Sequence, residues 1–303
     1  MDRTFPPFHV ASQSFRPYLT EPLLQQSVGS PGKLGRCHLV FDVTANRTCL
    51  RQSYVQHPFH LTRPWYLDPA LPGMAVVYLQ TPAGGLIQGD RTELQLDLKA
   101  HAQVHLTTQA AEKIHTMTAN CAVQQLSFTV GTGAYLEYCP EPIILFPRAR
   151  LSQSLTIELQ EEASVFLSEI LFFHCASDNV MFDALTTHLQ VHDKNGLTLV
   201  RERSEVLPVR QNIHGPGLLG PYRAWGQAAF IGPTVPTAWP QALSTVIAQV
   251  SGVESGVTLL PRDRGLAVKV LGTEASAVRQ VLHIVRHWVR LRHLDAPAVI
   301  FPK

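Results

Sequence analysis

The sequence predicts a mainly β protein with two α-helices near its carboxyl end. Between about residues 75 and 207, apolar residues alternate with polar ones in runs of about five to eight residues, the pattern of strands with one buried face. Leu94, Leu96 and Leu98, for example, are separated by polar residues. Gly, Pro, Asn or Asp separates the runs, and no helical period lies between them, so strands are favoured throughout this stretch.

Two turns indicate β-hairpins. Asn195-Gly196 lies between two short alternating runs, and both residue types accept the positive φ that tight hairpin turns require. Further along, the apolar runs 257–260 and 266–271 flank the turn sequence 263–265. The pattern therefore predicts an antiparallel pair of strands at each place.

The two predicted helices follow the all-β stretch. One covers about residues 274–292, because apolar side chains recur there at helical spacing. These side chains are Val278, Val281, Leu282, Val285, Trp288 and Val289. Thr273 precedes them and can cap the helix. The other helix covers about residues 237–250, where Pro240 is tolerated only in the first turn.

Residues 1–33 show no clear period and are rich in Pro, Gln and Ser. We predict that they form an irregular arm, either mobile or wrapped around the rest of the protein. The remaining residues, 34–303, are predicted to form one β-rich domain, because strand patterns and the two helices follow one another there without a linker-like stretch.

Composition disfavours several classes of protein. The chain has 25 Lys and Arg against 23 Asp and Glu, a formal net charge of +2, whereas nucleic-acid binding requires basic stripes. No secretory signal or membrane-spanning apolar run is found. The five cysteines are widely spaced and form no C-x-x-C pair. We therefore expect a cytoplasmic protein with reduced thiols that binds neither nucleic acid nor membranes.

Two carboxylates lie within apolar runs. Glu169 is part of VFLSEILFF, and Glu137 is part of AYLEY. A carboxylate removed from water requires a cation or hydrogen-bond donors. One explanation is an edge-facing side chain or a structural ion pair, for which Lys113 and Arg203 are candidate partners. The other is an internal water-filled passage, in which oxygen ligands would bind a divalent cation weakly.

His283 and His287 are a candidate pair of metal ligands. They are four residues apart on the helix predicted over 274–292, so they share one face of it. No third ligand is evident nearby in the sequence. The alternative is a pair of solvated surface histidines.

Three short segments follow one another along the chain: PAGGLIQGD (82–90), LTTQAAEK (106–113) and GAYLEYCP (133–140). In order and spacing they resemble the UreD (UreH) family of urease accessory proteins, whose pattern runs GGL-x-x-GD, TTQ-A-x-K and GA-x-LE-x-x-P. The resemblance extends over roughly residues 33–300, and the ordered series is more specific than any one motif. The motif positions are Gly84, Gly85, Gly89 and Lys113.

The resemblance implies a β-helix-like or layered β-sheet body with two helices, in agreement with the alternation described above. It also implies a cytoplasmic, non-enzymatic scaffold that links UreF and the GTPase UreG to apo-urease. Nickel would pass through the protein towards the urease active site. The resemblance implies no tightly bound cofactor, only transient Ni²⁺.

The resemblance also suggests residues for the nickel route. Asp90 matches the aspartate of the first motif, Glu169 matches an acidic position of the family, and Glu202 falls near another. The candidate lining comprises Asp90, Glu169, Glu202, Glu137, Thr107 and Thr108. Residues 173–182 depart from the Gly-Arg…Gly-Glu-x-Phe stretch of many members, so contacts of that stretch are not carried over.

Two other functions are compatible with the sequence. A β-rich hydrolase could use paired carboxylates such as Asp90 and Glu137, which would then lie within roughly 5–10 Å of each other in a closed cleft. The other is an interaction module that neither binds nor transfers a metal. Carboxylates spread along an interior passage would favour urease maturation over hydrolysis.

Overall fold

The computed structural model describes residues 8, 13–22, 33–174, 180–215 and 217–303. In its first half the strands are β1 (Leu34–Thr44), β2 (Arg47–Val55), β3 (His60–Leu61), β4 (Ala75–Gln80), β5 (Arg91–Leu98), β6 (Gln103–Thr108), β7 (Glu112–Ile114), β8 (Ala122–Val130) and β9 (Tyr135–Tyr138). In its second half they are β10 (Ile143–Leu145), β11 (Arg150–Leu159), β12 (Ser164–Phe173), β13 (Ala184–Asp193), β14 (Thr198–Val206), β15 (Ala224–Ile231), β16 (Val253–Leu259) and β17 (Gly265–Gly272).

The described residues contain three α-helices: α1 (Arg16–Thr20), α2 (Trp239–Ile247) and α3 (Ala275–His293). The last two confirm the helices predicted near the carboxyl end. Helix α1 has five residues and was not predicted. No helix in the described part of the chain is both long and apolar enough to cross a membrane.

The strands form two facing sheets. One has the order β14-β13-β11-β8-β5-β1-β2, and the other has the order β16-β17-β15-β12-β9-β6-β4-β3, with β10 and β7 paired alongside β12. From β4 to β13 the chain passes back and forth between the sheets, and neighbouring strands are parallel. Antiparallel strands close both ends. This stacked, solenoid-like arrangement confirms the mainly β, β-helix-like prediction.

The alternation seen in the sequence places apolar rows between the sheets. Leu94, Leu126, Leu155 and Leu189 are in register across β5, β8, β11 and β13. In parallel stacked strands, equivalent positions point to the same side. Burying each such leucine stabilises the fold by roughly 1.5–3 kcal/mol. The largest apolar cluster therefore lies between the sheets and runs along the stack.

Helix α3 packs on the outer face of the ten-stranded sheet, against β12, β15 and β17. The contact is close because Gly226 has no side chain: a Cβ there would lie 2.3 Å from Cγ1 of Val278. The predicted cap by Thr273 is wrong. Strand β17 runs to Gly272 and the helix begins two residues after Thr273, so Glu274 takes the N-cap position, without a side-chain hydrogen bond.

Both predicted hairpins are present. Strands β13 and β14 pair in antiparallel fashion, and Gly196 between them has a φ of 78°. Strands β16 and β17 also pair in antiparallel fashion, around a 3₁₀ turn at Pro261–Asp263. The described part of the amino-terminal arm packs on the body, because the fully buried Phe15 joins a small apolar cluster that includes Cys121 and Leu207.

Candidate functional site

A layer of polar side chains crosses the apolar interior between the two sheets. In the seven-stranded sheet, Thr92, Gln124, Gln153 and Thr187 are in register on four adjacent strands. Each lies two positions before a residue of the leucine row and so faces the same side of the sheet. Apolar clusters lie on either side of this row. We call this row, with the side chains that oppose it, the polar layer.

The opposing sheet contributes a second polar row. Glu169, Gln227 and Lys269 are in register on β12, β15 and β17. The Nε2 of Gln227 donates to Oε2 of Glu169 at 2.8 Å, and Nζ of Lys269 donates to Oε1 of Gln227 at 2.7 Å. Lys269 also pairs with Glu202 on β14. Charged and amide groups thus bridge the interior at this end of the layer.

Burial raises the pKa of Glu169 above its ordinary value. Hydrogen bonds from Gln153 and Gln227 and the charge of Lys269 oppose this increase, whereas the nearby carboxylate of Glu202 adds to it. Protonation of Glu169 is therefore easier than for a solvated carboxylate. A cation that approached this carboxylate would stabilise its ionised form.

Two adjoining cavities lie along the polar layer. The Glu169 cavity, of about 80 Å³, is lined by Glu169, Glu202 and Lys269 among others. The Glu112 cavity, of about 60 Å³, lies towards the other end of the layer. Tyr138 and Gln153 line both cavities, so these two side chains separate them. Each volume exceeds the roughly 10–15 Å³ that one water requires.

Glu112 is the main residue of this site that was not predicted from the sequence. Thr81 donates its hydroxyl to Oε2 of Glu112 at 3.0 Å, while Oε1 is buried and has no hydrogen-bond partner in the described structure. Burial raises the pKa of Glu112 to about 7, against the lowering effect of the Thr81 hydrogen bond. The signal available in the sequence was an acid within the second motif.

The predicted lining residues lie in three places: in the cavities of the polar layer, beside the layer, and on the outer face of the ten-stranded sheet. Glu169, Glu202 and Thr108 line the cavities of the polar layer. Asp90 is buried beside it and accepts hydrogen bonds from the Lys33 side chain at 3.1 Å and from the Ile87 amide at 3.0 Å. The position of Asp90 indicates a structural role in the turn. Its carboxylate is close enough to Glu112 to raise the pKa of that group.

The glycine motif holds this turn against β7. Gly85 has a φ of 127°, and a Cβ there would lie 2.3 Å from the carbonyl oxygen of Lys113. The next residue, Leu86, donates its amide to the same carbonyl at 2.8 Å. Gly84 and Gly89 also have positive φ angles. These three glycines therefore shape the backbone near the Glu112 cavity.

Glu137 lies on the outer face of the ten-stranded sheet, beneath α3, because it alternates with the inward-facing Tyr138. Its carboxylate is 2.6 Å from Nδ1 of His105, 3.5 Å from Nη1 of Arg286 and 3.6 Å from Nε of Arg290. The predicted partners for a structural ion pair were therefore wrong, although the ion pair exists. Burial raises the pKa of Glu137, but the His105 hydrogen bond and the two arginines lower it to about 2.

Thr107 is on the same outer face. Its hydroxyl donates to the carbonyl of Cys139 at 2.6 Å and accepts from Nζ of Lys303 at 2.7 Å. It lines a third cavity, of about 110 Å³, between the sheet, α3 and residues 296–303. The sheet separates Thr107 and Glu137 from the polar layer, so they are not part of the same interior space.

In the described part of the chain, His283 and His287 have no third His, Cys, Asp or Glu close enough to complete a metal site. Burial and the charges of Arg286 and Arg279 lower the pKa of His283 to about 4, while Nδ1 of His287 lies 3.3 Å from the carbonyl oxygen of Ala298. Among the residues that the structure describes, no three His, Cys, Asp or Glu side chains are grouped closely enough to hold a metal ion. Cys175, within the departing segment, lies outside the described residues.

Comparison with known proteins identifies the kind of protein that carries this site. A sequence profile described as "UreD urease accessory protein" matches residues 33–301. The chain is 33% identical over 288 residues to the "Urease accessory protein UreD" of Haloarcula marismortui, covering 94% of this chain and 95% of the relative. It is 29% identical over 263 residues to that of Cenarchaeum symbiosum, covering 84% and 90%.

A further relative, from Photorhabdus laumondii subsp. laumondii, is 31% identical over 262 residues, covering 84% of this chain and 81% of the relative. All three are named as accessory proteins of urease, and none is named as an enzyme. The chain belongs to the UreD urease accessory protein family.

Proposed function

We propose that this protein is a non-enzymatic maturation factor for urease that lets nickel pass through the polar layer. The observation that carries the proposal is the pair of adjoining cavities, which are lined by Glu169, Glu202 and Glu112 and lie between apolar clusters of the interior. Without these oxygens the interior would exclude a cation, because ions are strongly destabilised away from water. We take nickel as the metal because the resemblance to this family implies it.

The chemistry of the lining suits transfer better than storage. Carboxylate and amide oxygens bind divalent cations less tightly than thiolate or imidazole sets do, so the ion can exchange between sites. Lys269 donates hydrogen bonds to Glu202 and Gln227, and Gln227 donates in turn to Glu169. An entering cation would take the place of the Lys269 ammonium, whose flexible stem can move towards solvent.

The surface of the protein is suited to a scaffold. Only 16% of residues are charged, and Trp65, Val209 and Ile300 are 54%, 74% and 77% exposed. Contiguous apolar patches are typical of surfaces that partners cover, and Trp65 and Leu67 line one open groove beside Pro302. The partners we propose are UreF, the GTPase UreG and apo-urease, joined in the cytoplasm while nickel passes through.

The passage role of Glu169 is tested by Glu169→Leu, produced together with UreF, UreG and apo-urease. We expect lower urease activity and less urease-bound nickel, because the substitution removes the only charged oxygen pair on β12 that faces the Glu169 cavity. Circular dichroism and co-purification with UreF measure folding and partner binding, which should be unchanged.

The matched control is Glu158→Leu, since Glu158 is an exposed carboxylate on β11 that contacts Gln160. It should activate urease as the unmodified protein does. If the Glu169→Leu variant activates urease normally, the passage is contradicted. The protein would then be a docking platform that does not transfer metal. The hydrolase alternative gains no support, because Asp90 and Glu137 line neither cavity of the polar layer.

A further inference from the structure

The third cavity, of about 110 Å³, lies between helix α3 and the outer face of the ten-stranded sheet, and we call it the α3 cavity. Much of its lining is apolar. Phe166 and Ile170 on β12 and Leu282 on α3 are almost fully buried there. Ile300 and Phe301, in the segment that follows α3, complete the apolar part. The cavity therefore offers space for an apolar group between the helix and the sheet.

Three cationic side chains line the same cavity, against one carboxylate. Arg279, Arg286 and Lys303 are the cations, and Glu141 is the carboxylate. Arg286 is balanced by Glu137, at 3.5 Å. Glu141 lies between the other two cations, 2.6 Å from Nη2 of Arg279 and 3.1 Å from Nζ of Lys303. Because two cations share one carboxylate, positive charge is left over among the side chains at this cavity.

Two groups on α3 have hydrogen-bonding capacity left at the cavity. In the described structure only Nη2 of Arg279 has a hydrogen-bond partner, although a guanidinium group carries five N–H donors. His283 has a buried Nδ1 without a hydrogen-bond partner among the described residues. The two residues are four apart and so share one face of the helix. Since the Arg279 side chain is 44% exposed, these groups lie at the mouth of the cavity.

The surroundings of His283 reflect this excess of positive charge. Burial, followed by the charges of Arg286 and Arg279, lowers the pKa of His283 to about 4. The ring is therefore neutral at pH 7, and a neutral imidazole can carry its proton on Nδ1 and donate it. The pKa of Lys303 is also lowered, mainly by burial, and Arg279 contributes to this effect. An anion at the mouth would relieve the repulsion between these like charges.

We propose that the α3 cavity binds a small organic carboxylate, with its apolar end between α3 and the sheet and its carboxylate group at Arg279 and His283. Arginine suits this role because its N–H groups form strong hydrogen bonds to carboxylates. An apolar cavity of about 150 Å³ holds a benzene ring. The α3 cavity is smaller, so a short alkyl chain is the better fit. Binding at this site requires neither nickel nor urease.

The probe is trifluorobutanoate, which joins a carboxylate to a short apolar chain and is observed by fluorine NMR. Broadening of its signal is measured with the full, tag-free chain at low protein concentration, where self-association is weakest. We expect saturable binding. The neutral amide of the same acid should bind about tenfold more weakly, because hydrogen bonds to an ionised group are stronger than those to a neutral one.

Acids without fluorine test the apolar part of the cavity. Butanoate should displace the probe. Acetate carries the same charge but has two fewer methylene groups, and each buried methylene group contributes severalfold to affinity. Acetate should therefore require a concentration about tenfold higher than butanoate. Equal displacement by both acids would contradict the placement of an alkyl chain between α3 and the sheet.

Arg279→Met tests the position of the carboxylate group, because it keeps the length of the side chain and removes its charge and its donors. The probe should bind about tenfold more weakly, whereas binding of the neutral amide should change little. Arg203→Met is the matched control, since Arg203 is 49% exposed, lies on β14 of the other sheet and pairs with Glu205 at 3.2 Å. It should bind the probe as the unmodified protein does.

The proposal is overturned if the unmodified protein shows no saturable binding of the probe, or if the amide binds as tightly as the acid. Equal losses of affinity in Arg279→Met and Arg203→Met would also overturn it, because they would indicate attraction to the overall charge only. Circular dichroism checks that both variants are folded. If Arg279→Met is not folded, the comparison of acid and amide on the unmodified protein decides the outcome.

Discussion

At the scale of single residues, two buried glutamates show opposite effects of their surroundings. Glu137 is held by His105, Arg286 and Arg290, and its pKa is lowered to about 2 despite burial. Glu112 lacks an opposing cation of its own, and burial raises its pKa to about 7. The first arrangement stabilises the ionised carboxylate and the fold, whereas the second favours the protonated carboxyl group.

Glu137→Gln should destabilise the protein by about 3 kcal/mol at neutral pH, because it leaves a buried arginine without its partner. Arg286 is the residue affected most, since Arg290 keeps its ion pair with Asp68 at 2.7 Å. Urea unfolding measures the change. Glu158→Gln, an exposed glutamate on β11, is the control and should leave the midpoint unchanged.

The pH dependence of this effect has a definite sign. Because the pKa of Glu137 is lower in the folded protein than the ordinary value of 4.5, its contribution to stability is complete above pH 4.5 and is lost as the pH falls towards 2. The difference in unfolding free energy between the unmodified protein and Glu137→Gln should therefore shrink below pH 4.5. A difference that stays constant down to pH 2 would contradict this assignment.

The sequence shows that Glu137 and Glu169 are unusual but not that their roles differ. Both lie in apolar runs, and alternation assigns them to opposite faces only when the inward face of each strand is known. Glu137 faces outward, yet α3 covers it, and coverage by a distant helix is a tertiary feature. Gln124 was visible as a polar residue two positions before Leu126, in a place where an apolar one is expected.

At the scale of elements, the helices and hairpins followed from local pattern. Helix α3 was predictable because its apolar residues form one stripe, and the hairpin at Gly196 because its turn residues are specific. Strand β2 was not predictable, because it is an edge strand that is exposed over most of its length and shows no alternation. Helix α1 is too short for a period to be seen, and the buried Phe15 at its start anchors it through tertiary contact.

Gly226→Ala tests the close packing of α3 on the sheet. The new methyl group would lie 2.3 Å from Cγ1 of Val278, so the helix must shift, and we expect a loss of about 1–3 kcal/mol in the free energy of unfolding. The double variant with Val278→Ala should recover part of the loss. Gly256→Ala on β16 is the control, because nothing lies within 4 Å of a Cβ there. Equal thermal stability of both single variants would refute the close contact.

At the scale of the whole molecule, the stacked sheets make an interior long enough to hold the polar layer. The fold class was predictable because alternation, turn spacing and the absence of helical period agree along the stretch from residue 75 to residue 207. The division of the interior into two cavities was not, since it depends on the register between strands that are far apart in sequence.

The exposed apolar side chains predict poor behaviour of the protein on its own. Trp65 and Leu67 line an open groove beside Pro302, and Ile300 is exposed nearby in sequence. Without a partner such surfaces associate with one another. Size-exclusion chromatography with light scattering should show aggregates at high concentration, fewer for Trp65→Ser. A monodisperse unmodified protein at high concentration would contradict this expectation.

The side chain of Gln153 lines both the Glu169 cavity and the Glu112 cavity. Its nitrogen end donates to Glu169 while its oxygen end faces the neighbouring space beside Glu112. Electron density drawn towards an ion at the oxygen makes the N–H groups more acidic and strengthens the bond they donate. A cation in the Glu112 cavity would therefore strengthen, through one planar amide, the hydrogen bond that Gln153 donates to Glu169 on the other side.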